Sequence, residues 1–502
     1  MPSFDNSDKV LEFYSTDESI FKIKPKFVSI PETIDEISEV LKFASQNSLS
    51  VTTVGSKTSV AGQGLGDGII LNTSKNFNKI ISQNENQVVI EPGVILDNLN
   101  ESLSKENKIF PPDPASSKWC SIGGMIANNT SGARAIRYGM TKDYVESLKI
   151  VLSDGSIWDT AFPQKTSSEL QEKILKELPK IISRNEKLIR SKIPNSAKTS
   201  CGYDLIGCLE NPEKMFTRIF VGSEGTLGIV SEATLKIVEK PKVDTAILFY
   251  FDDLEKMAQS VKLLRKFETI SAAELLDKTF LDFVESQGKL NLPNFSDKTQ
   301  ALLIVEVTSS SKQKLDFEVQ TITEKIAKTK LSYFSEVAKN DEEKARIWAL
   351  RKSASPLLKE RTDSLKSVRV IEDTAVNPEL LPKYLLGLRK IFAELEVTAV
   401  VFGHAGDGNV HINPLLDPTK SDFRELLLNL ADKVYAWVLE CGGTISGEHG
   451  DGILRSGYVK LQFGELFPIF EEVKNLFDPK GILNFGKILG KETALKNVEF
   501  KF

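Results

Sequence analysis

The chain has three histidines in 502 residues, and all of them fall between positions 404 and 449. They read Gly403-His404-Ala405-Gly406-Asp407-Gly408-Asn409-Val410-His411 and Gly447-Glu448-His449-Gly450. Imidazole nitrogens and a carboxylate suit a divalent ion of the zinc, manganese or iron type. His404, His411 and Glu448 therefore form a candidate two-histidine, one-carboxylate metal set with open positions. His449 suits a different role. Beside such a site it could accept a proton from a hydroxyl as general base.

The elements around these residues must bring them together. Residues 397–403 are mostly apolar and β-prone, and 410–416 read as a second strand. Asp407-Gly408 between them is a two-residue hairpin signal. With that pair at the turn centre, Gly406 pairs with Asn409, Ala405 with Val410, and His404 with His411. Opposed residues share a face, with Cβ atoms about 4.5–5.5 Å apart. Asn413 lies on the same face two residues further on.

The rest of the chain sets limits. Its length predicts two to four domains. A hydrophobic fraction of 41% and a charged fraction of 26% are those of an ordinary globular protein. The net charge is −5 and no basic face stands out, so nucleic acid is excluded as the expected partner. Cys120, Cys201, Cys208 and Cys441 form no Cys-x-x-Cys pair, which argues against an iron–sulfur cluster or a zinc ribbon. The first residues do not resemble a secretory signal, and no apolar run nears the roughly 20 residues of a membrane helix. The expected location is cytoplasmic with reduced thiols; peripheral contact with the inner membrane stays open.

Patterning divides the chain into an arm at 1–20, a domain over 21–240, a second over 241–470 and a terminal segment, 471–502, that returns to the first. The first domain alternates strands and helices, with a capping-box spacing at Thr33 and Glu36 and a hairpin turn at 153–156. After Glu239-Lys240-Pro241-Lys242 the pattern is strand, helix, strand, helix over 244–250, 253–266, 301–308 and 311–329. That predicts an α+β unit with an antiparallel sheet and helices on one side.

Gly55-Ser56-Lys57-Thr58-Ser59-Val60-Ala61-Gly62-Gln63-Gly64 follows a strand and offers successive backbone N–H groups and small side chains, as a pyrophosphate requires. It is neither a Walker loop nor a Rossmann fingerprint. Further blocks follow in order: Pro111-Pro112-Asp113-Pro114, residues 121–132 with Arg137-Tyr138-Gly139, and residues 222–230. Together they resemble the flavoprotein family that shares a fold with vanillyl-alcohol oxidase and p-cresol methylhydroxylase. The resemblance implies a two-subdomain FAD-binding domain. It assigns Gly55, Ser56, Lys57, Thr58 and Ser59 to the pyrophosphate. Gly123, Gly124, Ala127, Asn128, Ser131 and Gly132 go to the flavin and ribityl chain, and the Ile229 backbone to the adenine end. Pro112, Glu224, Gly228 and Asn484 complete the implied cofactor set. With no histidine in these loops, and Cys120 expected to be unattached, the FAD is expected to be non-covalent.

The second half resembles D-lactate dehydrogenases, the flavin subunit of glycolate oxidases and D-2-hydroxyglutarate dehydrogenases, through residues 403–411, Asn413, residues 447–450 and Trp348-Ala349-Leu350-Arg351. That implies a divalent metal on His404, His411 and Glu448, His449 as base, and Arg351 on the substrate carboxylate, for which a guanidinium fork is suited. Asn413 and Tyr203 are the other expected substrate contacts. Two positions depart from the pattern. The lysine of hydroxyglutarate-specific members falls near Ile371, with Lys359, Lys366 and Arg369 as possible substitutes, and Phe485 stands where proline is usual. The implied activity is oxidation of a D-2-hydroxy acid to a 2-oxo acid, with an external acceptor: quinone, cytochrome, electron-transferring flavoprotein or oxygen. The alternatives are a flavin subunit of an electron-transfer complex, a D-2-hydroxyglutarate dehydrogenase-like enzyme, and a protein resembling alkyl-dihydroxyacetonephosphate synthase.

Overall fold

The computed structural model describes residues 2–288, 296–359, 364–491 and 494–502. The first half contains two small sheets. Phe27–Ser29, Ile69–Asn72 and Val51–Val54 form a parallel sheet with Ile69–Asn72 at its centre. Every residue of that central strand is buried, as expected where a parallel strand is covered on both faces. The helix Ile34–Asn47 connects its strands and buries Ile37, Val40, Leu41 and Ala44, one helical stripe. Thr33 caps the helix by accepting from Glu36 N. The reciprocal bond differs from a capping box, because the Glu36 carboxylate accepts from Glu32 N, one residue before the cap.

The second small sheet is antiparallel, in the order Ile80–Gln83, Gln87–Ile90, Ile229–Lys236, Val145–Val151 and Ile157–Asp159. Ile229–Lys236 alternates buried and half-buried positions, the signature of a sheet packed on one face. Asp154 and Gly155 turn the last hairpin, with Gly155 at φ +81°. The terminal segment runs back along this half. Val51 N donates to Ile482 O at 2.7 Å, and Glu499–Phe500 pairs with Phe21–Lys22.

The second half is built on an eight-stranded sheet. Its strands run Phe334–Val337, Val243–Phe251, Ala301–Ser309, Ile270–Asp277, Thr398–His404, Asn409–Leu416 and Lys366–Ser367, with Thr374–Ala375 also on Asn409–Leu416. Every strand pair in it is antiparallel. Helices cover both faces rather than one. Ile247, Phe249, Leu303 and Val305 point toward the helices Leu254–Leu264 and Lys312–Thr329 and into the main core. Leu248, Tyr250, Leu302 and Ile304, one residue out of phase, form a separate cluster with the helices Lys278–Gln287 and Asp341–Lys352. Continuous apolar strands such as Ala301-Leu302-Leu303-Ile304-Val305 require this double cover. Among the described residues no helix is long and apolar enough to cross a membrane.

The halves are joined by a charged clasp. Arg134, just past the glycine-rich block of the first half, donates from Nε and Nη2 to the two oxygens of Glu306 at 2.7 and 2.9 Å, and from Nη1 to Asp113 at 2.9 Å. Glu306 sits mid-strand with its side chain 2% exposed. Removing Arg134 leaves the buried Glu306 charge with only the Ser271 hydroxyl donating to its carboxylate, which is destabilising. Arg134→Ala should therefore lower the thermal unfolding midpoint, and adding Glu306→Gln should recover part of the loss by removing the stranded charge. A double variant no more stable than Arg134→Ala would show that the clasp is not the source.

Candidate active site

One cleft of about 940 Å³ runs from the Gly55–Ser59 loop to the histidines. That is the upper end of the usual range for small-molecule and cofactor sites. Gly55, Ser56, Lys57, Thr58 and Ser59 line one stretch, and Gly123, Gly124, Ala127 and Asn128 another, with Glu224, Gly228 and Ile229 facing them. The loops are held together by close backbone approach. A Cβ on Gly55 would lie 2.3 Å from Ser121 Oγ, and one on Gly123 would lie 2.5 Å from Pro92 Cβ. The Thr53 hydroxyl on this wall is buried and has no hydrogen-bond partner among the described residues. Small side chains and an unmatched buried hydroxyl fit an elongated polar cofactor such as FAD. Cys120 also lines the cleft, and burial pushes its thiol up to about 11.

Five expected contacts lie elsewhere. Pro112 is buried beside the cleft, and Pro114, two residues on, lines it instead. Ser131 turns toward the histidines and donates to Glu448 Oε2 at 2.6 Å. Gly132 marks a crossing of chains, since a Cβ there would lie 2.3 Å from Asp113 O. Asn484 donates from Nδ2 to the carbonyls of Gln63, at 3.2 Å, and Glu224, fastening the terminal segment to two cleft loops from behind. Tyr203 is buried, with its hydroxyl 2.8 Å from Thr226 Oγ1 and its ring edge-on to Phe470. None of the five lines the cleft.

The histidine hairpin has a longer turn than the sequence predicts. His404 pairs with Asn409, Gly403 with Val410 and Phe402 with His411. The connection is the four residues 405–408, with Ala405–Asp407 as a 3₁₀ turn. Asn409 is drawn into the ladder by its side chain, which donates to Asp373 Oδ1 at 3.0 Å and Thr374 O at 2.9 Å. Gly408 closes the turn at φ +70°, where a Cβ would lie 1.9 Å from Val376 O. Lengthening the turn by two residues preserves side-chain parity. His404 and His411 therefore still share a face, as diagonal rather than opposed neighbours, with their Nε2 atoms 3.1 Å apart. Asn413 lines the cleft from the same strand.

Glu448 completes the group. Its Oε1 lies 3.1 Å from His404 Nε2 and 3.5 Å from His411 Nε2. Ligands at about 2.1 Å in a tetrahedral shell stand about 3.4 Å apart, so these three atoms fit around one divalent ion. Glu448 Oε2 faces the other way and accepts from Lys198 Nζ at 2.8 Å. Burial works against the charge on Glu448, but Lys198 and His404 hold its pKa well below the usual carboxylate range. His411 is held neutral by burial and by His404 beside it.

Four supporting groups escape a sequence reading. Glu274, on Ile270–Asp277, accepts from His404 Nδ1 and from Arg351 Nε, both at 2.7 Å. It outweighs burial and raises the His404 pKa to about 9. A lone acid inside Ser271-Ala272-Ala273-Glu274-Leu275-Leu276 is the signal that marked it. Glu372 accepts from His449 Nδ1 at 2.6 Å and from Arg455 at 3.2 Å. Asp373 accepts from the backbone N–H of Glu448 and His449, at 2.9 and 2.8 Å. Lys198, the fourth, has no local signal. Against burial, Glu372 and Asp373 raise the His449 pKa to about 9. A divalent cation beside it would act the other way, because like charge disfavours imidazolium. The His449 side chain is 27% exposed, so the ring is reachable from the cleft. Arg351 also lines the cleft and lies over the Phe402 ring, 4.5 Å from its centroid.

Both halves of the chain match known protein families. The C-terminal domain of FAD linked oxidases matches residues 240–488, and an FAD binding domain matches 25–161. Glycolate oxidase subunit GlcD of Bacillus subtilis is 30% identical over 99% of this chain and 96% of its own length. A D-lactate dehydrogenase of Anaerostipes hadrus is 30% identical over 96% of this chain and 94% of its own. A D-2-hydroxyglutarate dehydrogenase of Escherichia coli is 31% identical over 95% of this chain, which spans 49% of that longer protein. The solved structure of p-cresol methylhydroxylase superposes with a TM-score of 0.70 at 13% identity, over 98% of this chain and 94% of that one, and so shares the fold. Matched in both halves and along nearly its full length, the chain belongs to the FAD-linked oxidases, a family of flavoprotein oxidoreductases.

Proposed function

We propose that the chain is an FAD-linked dehydrogenase that oxidises a D-2-hydroxy acid of the D-lactate or glycolate kind to the 2-oxo acid. Electrons then pass to an external quinone, cytochrome or electron-transferring flavoprotein. The observation that carries this reading is that Arg351, His404, His411, Glu448 and His449 line the same cleft as the cofactor loops. Relatives named for glycolate and D-lactate support it.

Arg351 takes the substrate carboxylate, and Glu274 fixes the guanidinium through Nε before substrate arrives. His449 takes the hydroxyl proton at Nε2, since Glu372 keeps the N–H on Nδ1. Asp373 sets that ring's position through the backbone. FAD, when bound, supplies acceptance of the hydride leaving the carbinol carbon. A divalent ion on His404, His411 and Glu448 would supply Lewis acidity toward the substrate hydroxyl.

Three outcomes test the reading. Purified protein should be yellow, and acid should release FAD; colourless protein that takes up no FAD on reconstitution would sink it. His404→Ala should lose bound metal and most turnover while keeping FAD, because the cofactor loops lie elsewhere. Full activity after chelation, with no metal found by elemental analysis, would remove the metal from the reading. A clamp acts in ground and transition states alike, so Arg351→Lys should chiefly raise KM. A base acts only as the proton moves, so His449→Ala should lower kcat by roughly 10²–10⁴-fold. A rise in KM alone for His449→Ala would make it a binding residue.

A further inference from the structure

We infer that Glu224 is a positioning residue for His449, and that its carboxylate fixes how far the base stands from the cofactor loops instead of binding the cofactor. The inference rests on the reading above, in which His449 takes the hydroxyl proton.

The backbone of Glu224 belongs to the cleft wall that faces the cofactor loops. Its N–H donates to Ala127 O at 2.8 Å, and its carbonyl accepts from Asn484 Nδ2 at 2.6 Å. Its φ is +53°, between Gly222 at +80° and Gly225 at +70°. Side chains are disfavoured in that left-handed region, and such strain collects at functional sites. A glycine there would relieve the strain and lose the carboxylate.

That carboxylate reaches across to the loop that follows His449. Asp451 N donates to Oε1, and Gly452 N donates to Oε2 at 2.9 Å. The loop is pressed against it: a Cβ on Gly450 would lie 2.5 Å from Glu224 Oε1 and 2.8 Å from Gln63 Nε2. Ala61 O accepts from Ile453 N at 2.9 Å. Gln63 Nε2 donates to His449 O at 2.7 Å, and Ser59 Oγ donates to Gln63 Oε1. Residues 449–453 are thus bonded to residues 59–63 and to Glu224.

Two sets of bonds act on His449, with different effects. Glu372 and Asp373, both in the second half, set the tautomer and tilt of the ring. Neither relates the ring to the cofactor loops. Glu224 and Gln63 do, because both line the cleft in the first half and hold the backbone of 449–452. The proton and the hydride leave adjacent atoms of one substrate, so a shift of about 1 Å between base and cofactor costs about 10²-fold in rate.

The test mixes full-length, FAD-loaded protein with D-lactate or glycolate in the absence of acceptor and follows bleaching of the flavin, so that product release does not mask chemistry. Glu224→Gln keeps the length but has one acceptor oxygen for two N–H groups. It should lower the limiting rate of flavin reduction by about 10–10²-fold. The half-saturating substrate concentration and the FAD dissociation constant should stay within about twofold of wild type, as for a group that touches neither. Gln63→Met removes the donor to His449 O; it should show the same split and carries the test if Glu224→Gln is unstable by melting temperature. In a His449→Ala background, Glu224→Gln should cost at most about twofold more, because a residue that acts through another adds little once that one is gone. Fully additive losses, an unaltered limiting rate in both single variants, or weakened FAD affinity as the sole effect overturn the inference alone. A wild-type flavin that neither acid reduces overturns the 2-hydroxy-acid reading with it.

Discussion

Arg351, His404 and His449 are each aimed by a buried carboxylate. Glu274, Glu372, Asp373 and Glu448 are all buried. Burying a carboxylate costs several kcal/mol unless its oxygens are matched, so each of the four dictates where its partners stand. Glu274 has one oxygen on His404 and the other on Arg351. A single side chain on a central strand therefore fixes both a candidate metal ligand and the candidate carboxylate clamp. Glu372 holds His449 and Arg455 on one oxygen, Oε1. The histidines are thus held by groups on other elements, and a turn longer than the local sequence favours costs the site nothing.

The same constraint ties the two halves of the molecule together. Glu448 splits its oxygens between the histidine pair and Lys198, which also donates to Ser131 in the first half. Glu224, on the cofactor wall, accepts from the backbone N–H of Asp451 and Gly452, just past His449. Gln63, after the Gly55–Ser59 loop, donates to His449 O at 2.7 Å. In the proposed reaction, hydride transfer and proton removal act on adjacent atoms of one substrate. These bonds set the distance between the candidate cofactor loops and His449 without depending on the substrate.

What the sequence revealed follows from how far each contact reaches along the chain. Clustered histidines and glycine-rich loops are local patterns, and the structure brings both to one cleft. Side-chain parity also survived, because adding two residues to a turn leaves every face unchanged. The partners of the histidines did not show. Glu274 meets His404 across 130 positions and Lys198 meets Glu448 across 250. No window of sequence contains either pair. Ser131 misled for a related reason: it sits in a glycine-rich block of cofactor-loop type, but its hydroxyl serves Glu448 on the far side. Tyr203 was placed by motif, whereas its ring packs on Phe470 and its hydroxyl on Thr226.

The arrangement around Glu448 also bears on how a cation could be held. A carboxylate with both oxygens free can chelate one ion or swing between ligands. Here Oε2 is taken by an ammonium and a hydroxyl, both from the first half, so the carboxylate plane is fixed and only Oε1 faces His404 and His411. The Lys198 charge offsets one negative charge, which weakens the field available to a divalent ion. His411, held neutral, keeps a lone pair for it. In the proposed reading the group would offer a single ligand atom from each of three residues, and an ion held there would lie on the cleft wall that also carries Arg351 and His449.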